Sequence, residues 1–138
     1  MVHRALFAMG ALAKTETEAE RLGVAMKIRE LAVDPVRRRL LAREDVKVVL
    51  VSLGGGADGD DVREAVVTAI AVVASVPEGQ RVMASDDVRA VLVAMGHATA
   101  RDLVRRNVAI AIANIARGFK EGQRVMASGD VRGVLVAM

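Results

Sequence analysis

The chain has 138 residues, no cysteine, two aromatic residues (Phe7 and Phe119) and a formal charge of +3. That length suits one domain; lacking cysteine, it has no disulfides or thiolate chemistry, which leaves the redox compartment open. A pI near 9.9 permits anionic partners without requiring them, and the core has to be built from Val, Leu, Ile, Met and Ala.

In chain order, residues 2–10 read as a helix ended by Gly10. Their charged, apolar and small residues follow one another as in a secretory signal. The same segment aligns with residues 88–96, deep in the chain, so a helix is the simpler reading. Thr17 and Glu20 are spaced as a capping box for a long helix over 21–32. Pro35 then opens a short helix over 36–42, where a missing N–H costs nothing. A second helix over 45–53 follows, ended by Gly54, and the adjacent Arg37, Arg38 and Arg39 flank the short helix in solvent.

The loop over 54–61 is rich in Gly and Asp, but lacks the Gly-Lys-Ser/Thr of a phosphate loop, and Val62 stands where a calcium loop needs oxygen. We expect it to cap the next long helix, 62–75. The apolar stretch 65–76 is too short to cross a bilayer, which takes about 20 residues. Pro77 opens a short helix over 78–84, Ser85 caps a second over 87–95, and Gly96 ends it. Thr99 and Asp102 are spaced as a capping-box variant for a long helix over 103–117. In that helix Val104, Val108, Ala111, Ile112 and Ile115 form one apolar stripe. Short and second helices return over 121–127 and 130–138, with Ser128 placed like Ser85.

The octapeptide Glu-Gly-Gln-Arg-Val-Met-Ala-Ser at 78–85 recurs unchanged at 121–128, and the following ten residues nearly match. Residues 39–54 align with 81–96 one residue out of step. A period of about 43 residues, three helices to the unit, predicts an all-α solenoid of about three repeats, each burying its apolar face against its neighbours. The units run 1–34, 35–76, 77–119 and a partial 120–138. No distinct polar segment closes either end, so we expect a piece of a longer solenoid or a homo-oligomer formed through open ends.

The run Arg-Arg-Asn-Val-Ala-Ile-Ala-Ile-Ala-Asn-Ile-Ala at 105–116, followed by 121–128 and Gly-Asp-Val-Arg-Gly-Val-Leu, resembles the armadillo repeat, with the HEAT repeat as near relative. The likeness spans the chain and is strongest over 61–138. It implies a right-handed superhelix whose third helices line a concave groove for extended partner segments. In import adaptors of this family the groove carries a Trp and, four residues on, an Asn that pins the partner's backbone. Ile110 stands at the Trp position and Asn114 at the Asn position; the other units have Val67 with Ala71 and Ala25 with Arg29. Reading of basic import signals is therefore not expected.

Arg21, Arg63 and Arg106 fall one turn earlier on the same face, with Arg117 near the helix end, which predicts a basic groove favouring acidic or phosphorylated segments. The alternative is that these arginines are ordinary solvated residues, partly neutralised by Glu20 and Glu64. Asn114 either contacts a partner or bonds to a neighbouring helix.

His3 and His97 are the only histidines and lack a nucleophile or carboxylate arrangement, so no enzyme activity, cofactor or metal is expected. Binding along a phosphate backbone is a competing class, but stacking aromatics and long cationic runs are missing. The expectation is a non-catalytic protein-interaction scaffold for an acidic protein or peptide, inside the cell, cytoplasmic or nuclear, and without membrane contact.

Overall fold

A computed structural model describes residues 17–57 and 59–138. The helix expected over 2–10, with His3 and Gly10, and the loop residue Asp58 lie outside the described residues. Among those described there are nine helices and no strand. They are α1 (Glu18–Val33), α2 (Pro35–Leu40), α3 (Glu44–Gly55), α4 (Asp60–Val73), α5 (Pro77–Met83), α6 (Asp86–Ala98), α7 (Asp102–Gly118), α8 (Lys120–Met126) and α9 (Gly129–Ala137). No described helix is long and apolar enough to cross a membrane.

The helix starts follow their capping chemistry. Thr17 accepts from the Glu20 amide at 3.3 Å, and Asp34 accepts from the Val36 amide at 3.0 Å ahead of Pro35. Ser85 accepts from the Val88 amide at 3.4 Å. Ser85 and Ser128 each donate to the aspartate two residues on, Asp87 and Asp130, but Ser128 accepts no cap hydrogen bond before α9. Thr99 departs from the expected capping box, since Arg101 is the N-cap of α7. The Thr99 hydroxyl is buried, donates to Asp60 of α4 at 2.6 Å and accepts from the Arg101 amide at 3.0 Å, so it ties α4 to the turn that leads into α7.

The long helices pack side by side, with α4 between α1 and α7. The second helices do the same, with α6 between α3 and α9. The core between these rows is aliphatic: Ile28, Leu50, Ile70, Leu92, Met95 and Ile115 are fully enclosed. Each such side chain contributes about 1.5–3 kcal/mol on leaving water. The stripe expected on α7, Val104, Val108, Ala111, Ile112 and Ile115, is buried throughout.

Glycine has a different role from the one the sequence suggested. Gly54 and Gly96 lie within the last turn of α3 and α6, one and two residues short of the helix ends, and no described glycine has a positive φ. A Cβ on Gly54 would stand 2.8 Å from Val91 Cγ1, and one on Gly96 would stand 2.5 Å from Val134 Cγ2. These two glycines let α6 and α9 approach the preceding second helix. The glycine that the two octapeptides share is required in a similar way: a Cβ on Gly79 would meet the Val73 carbonyl at 1.7 Å, and one on Gly122 the Ile115 carbonyl at 2.1 Å. Each short helix lies against the backbone of the long helix before it.

Candidate functional site

The long helices share one exposed face, which holds a groove of about 740 Å³. Met26, Arg29 and Val33 line it from α1, Glu64 and Thr68 from α4, and Leu103 and Asn107 from α7. Met26, Val33 and Leu103 are 43–57% exposed, large for aliphatic side chains on one face. The Asn107 amide donates to the Thr68 hydroxyl at 3.1 Å, bridging α7 and α4 across the floor. Beyond that bridge a smaller depression of about 280 Å³ continues between Ser75, Ile110 and Asn114.

Of the residues singled out from the sequence, Arg29, Ile110 and Asn114 border these depressions. Asn114 is only 7% exposed; its Nδ2 donates to the Ala71 carbonyl at 2.9 Å, and its Oδ1 accepts from Arg117. The neighbouring-helix alternative for Asn114 is thus the one realised. Arg117 is exposed and is oriented by that contact. Val67 is fully buried in the core and offers nothing to a groove.

The arginine stripe is broken up. Arg21 donates to the Gly56 carbonyl at 2.5 Å and Arg63 to the Ala57 carbonyl at 3.2 Å, so both hold the loop between α3 and α4. Arg63 also pairs with Asp60 at 3.1 Å. Arg105, not Arg106, repeats this pattern: it donates to the Thr99 carbonyl at 3.2 Å and pairs with Asp102 at 3.5 Å. The buried positions Val62 and Val104, Val66 and Val108, Ile70 and Ile112, and Val73 and Ile115 share the same 42-residue spacing. The long helices therefore correspond one residue off the 43-residue octapeptide register. Arg106 is exposed and has no polar partner among the described residues.

Charges on the groove wall are mixed and mutually paired. Arg29 lies 3.8 Å from Glu64, and Arg101 reaches Asp61 at 2.9 Å and Glu64 at 3.4 Å. The Thr99 hydroxyl, more than the nearby Arg63, holds the Asp60 carboxyl below the usual aspartate range. No group of three or more metal-capable side chains occurs among the described residues.

Met26, Val33, Leu103 and the Thr68–Asn107 bridge were not foreseen from the sequence. Matching the long helices on their apolar stripe rather than on the octapeptide would have aligned Met26, Thr68 and Ile110 as one row. No family model, curated protein or solved structure matches the chain.

Proposed function

We propose that the chain is a non-catalytic, armadillo-like α-solenoid of about three repeats that binds an extended segment of a partner protein across α1, α4 and α7. The observation that carries this reading is the groove itself: three successive long helices contribute to one open trough, with aliphatic side chains left in water along it. Exposed Met26, Val33 and Leu103 supply apolar anchors, and Asn107 with Thr68 supplies donors and acceptors at the floor.

Acidic residues in the partner would pair with Arg29 on the wall and with Arg106 and Arg117 beside Ile110. Among the described residues Arg29 has one polar contact, at 3.8 Å with Glu64, which an incoming carboxylate can replace. Arg21 and Arg63 belong to the scaffold in this reading and are not expected to touch the partner.

The test is affinity capture from cell extract with wild type beside a Met26→Glu, Leu103→Glu double variant. Both positions are exposed, so the variant should keep the wild-type helix signal and melting temperature. Partners lost with the variant and competed off wild type by an acidic peptide support the reading. Partners retained equally by both would remove the groove from consideration.

A further inference from the structure

The smaller depression beyond the Asn107–Thr68 bridge differs from the rest of the trough in charge. Arg38, Thr68, Ser75, Asn107, Ile110 and Asn114 line it, and none of its lining residues is a carboxylate. Arg38, expected in solvent from the sequence, is half-buried there and reaches from α2 to Ser75, just past α4. Its Nε donates to the Ala32 carbonyl at 2.9 Å, its Nη2 to the Val33 carbonyl at 3.4 Å and its Nη1 to the Ser75 hydroxyl at 3.4 Å. A guanidinium has five N–H groups. Three are thus taken by neutral acceptors, and the charge meets no carboxylate among the described residues. The acidic residues nearest in sequence are engaged elsewhere, Asp34 with Arg37 and Glu30 with Lys27.

The repeat shows that holding the fold at this position takes no charge. Gln80 stands 42 residues on, in α5, and reaches the next long helix with a neutral amide that donates to the Asn114 carbonyl at 3.1 Å. On α7, Arg117 donates to Asn114 Oδ1 and likewise has no carboxylate partner among the described residues. The Asn114 amide is committed at both ends, to Ala71 and to Arg117. The Thr68 hydroxyl accepts from Asn107 and keeps its own proton unengaged among the described residues. The open donors are therefore two guanidinium groups and a hydroxyl, supplied by α2, α7 and α4.

We propose that this depression is a phosphoryl-binding subsite, in which Arg38 and Arg117 hold a phosphorylated side chain of the segment lying in the groove. The proposal rests on the groove reading for that segment and adds Arg38, which the reading does not otherwise use. Two guanidinium groups match the charge of a phosphate dianion, and donors from three helices match its three outer oxygens. A carboxylate brings one charge and two oxygens and leaves part of the donor set unused.

Titration with phenyl phosphate, followed by NMR at the Arg Nε–H and Asn side-chain amide signals, tests the subsite. Saturable shifts are expected at Arg38, Arg117 and Asn107. Arg38→Gln and Arg117→Gln should each weaken binding at least about tenfold through loss of charge-assisted hydrogen bonds. Glutamine is the residue found at position 80, and Arg117 is exposed, so both variants should keep the wild-type helix signal. Arg39→Gln removes the same charge from an exposed neighbour on α2 and should stay within about twofold of wild type. Phenylacetate should bind at least about tenfold more weakly than phenyl phosphate. Shifts that do not saturate, Arg39→Gln as harmful as Arg38→Gln, or phenylacetate binding equally well would each overturn the proposal. Partner capture unaffected by Met26→Glu, Leu103→Glu would sink the groove, whereas absent phenyl phosphate binding beside capture lost in that variant would sink the subsite alone.

Discussion

The Asn114 side chain donates from Nδ2 to the backbone carbonyl of Ala71 at 2.9 Å, one buried bond joining α7 to α4. Ala71 lies near the end of α4, where carbonyls have lost their intrahelical partners. Asn114→Leu fills similar volume but leaves that carbonyl and the Arg117 guanidinium without their partner. The expected cost is about 1–3 kcal/mol in urea unfolding. Asn107→Ala, which removes a half-buried bond to Thr68, should cost about 0.5–1.5 kcal/mol. A neutral Asn114→Leu would show that the bond is not formed in solution.

The glycines separate into two groups with opposite expectations. Gly79→Ala and Gly122→Ala each drive a methyl into a carbonyl oxygen and should destabilise by more than about 2 kcal/mol, because backbone, not a flexible side chain, has to move. Gly23 lies within α1 with nothing near its Cβ direction, so Gly23→Ala should stabilise by about 0.5–1 kcal/mol. Thermal melts of the three variants decide it. Equal shifts at all three positions would refute the close approach.

Helix order and core were legible because caps, prolines and the apolar stripe act locally: Pro35, Pro77, Thr17 and Ser85 all stand where the chain's own chemistry puts a helix start. What the sequence did not reveal depends on contacts between helices. Gly54 and Gly96 look like terminators, yet the close neighbours Val91 and Val134 are what require glycine there. Arg63 and Arg106 look equivalent at the octapeptide's 43-residue spacing, whereas the clamp is made by Arg63 and Arg105. The groove's aliphatic lining was hidden for the same reason, since Met26 and Leu103 become neighbours of one trough only once three helices are packed.

Lys47 is 7% exposed and sits between Glu44 at 2.5 Å and Asp87 at 3.6 Å. Burial pushes its pKa down, but the two carboxylates outweigh that and the net shift is upward. Asp87 is held below the usual aspartate range by the Ser85 hydroxyl first and by Lys47 second. For Asp87 the stabilisation is present above the ordinary aspartate pKa of about 4 and is lost as pH falls below it. For Lys47 it is present below the ordinary lysine pKa of about 10.4 and is lost as pH rises through the elevated value. Stability curves against pH should therefore droop at both extremes, and Asp87→Asn should flatten part of the acid limb. The pair is also asymmetric. Asp87→Ala leaves a buried cation with one partner and should cost about 1–2 kcal/mol, whereas Lys47→Met leaves two solvated carboxylates and should cost less than about 1 kcal/mol. A larger loss for Lys47→Met would contradict this account.

Arg63 and Arg105 make the same two contacts, to the aspartate three residues before and to the carbonyl six residues before. Their place is structural, since each fastens the loop that feeds its own long helix. Arg63 is the more buried of the two, with 14% side-chain exposure against 38%. Arg63→Ala should thus lower stability by about 1–3 kcal/mol, and Arg105→Ala by less, because water already screens its pair. Arg106→Ala should stay within about 0.5 kcal/mol of wild type. Chemical denaturation of the three single variants orders them. If Arg106→Ala proves as damaging as Arg63→Ala, the 42-residue correspondence of the long helices is wrong, and with it the separation of clamp arginines from the exposed one.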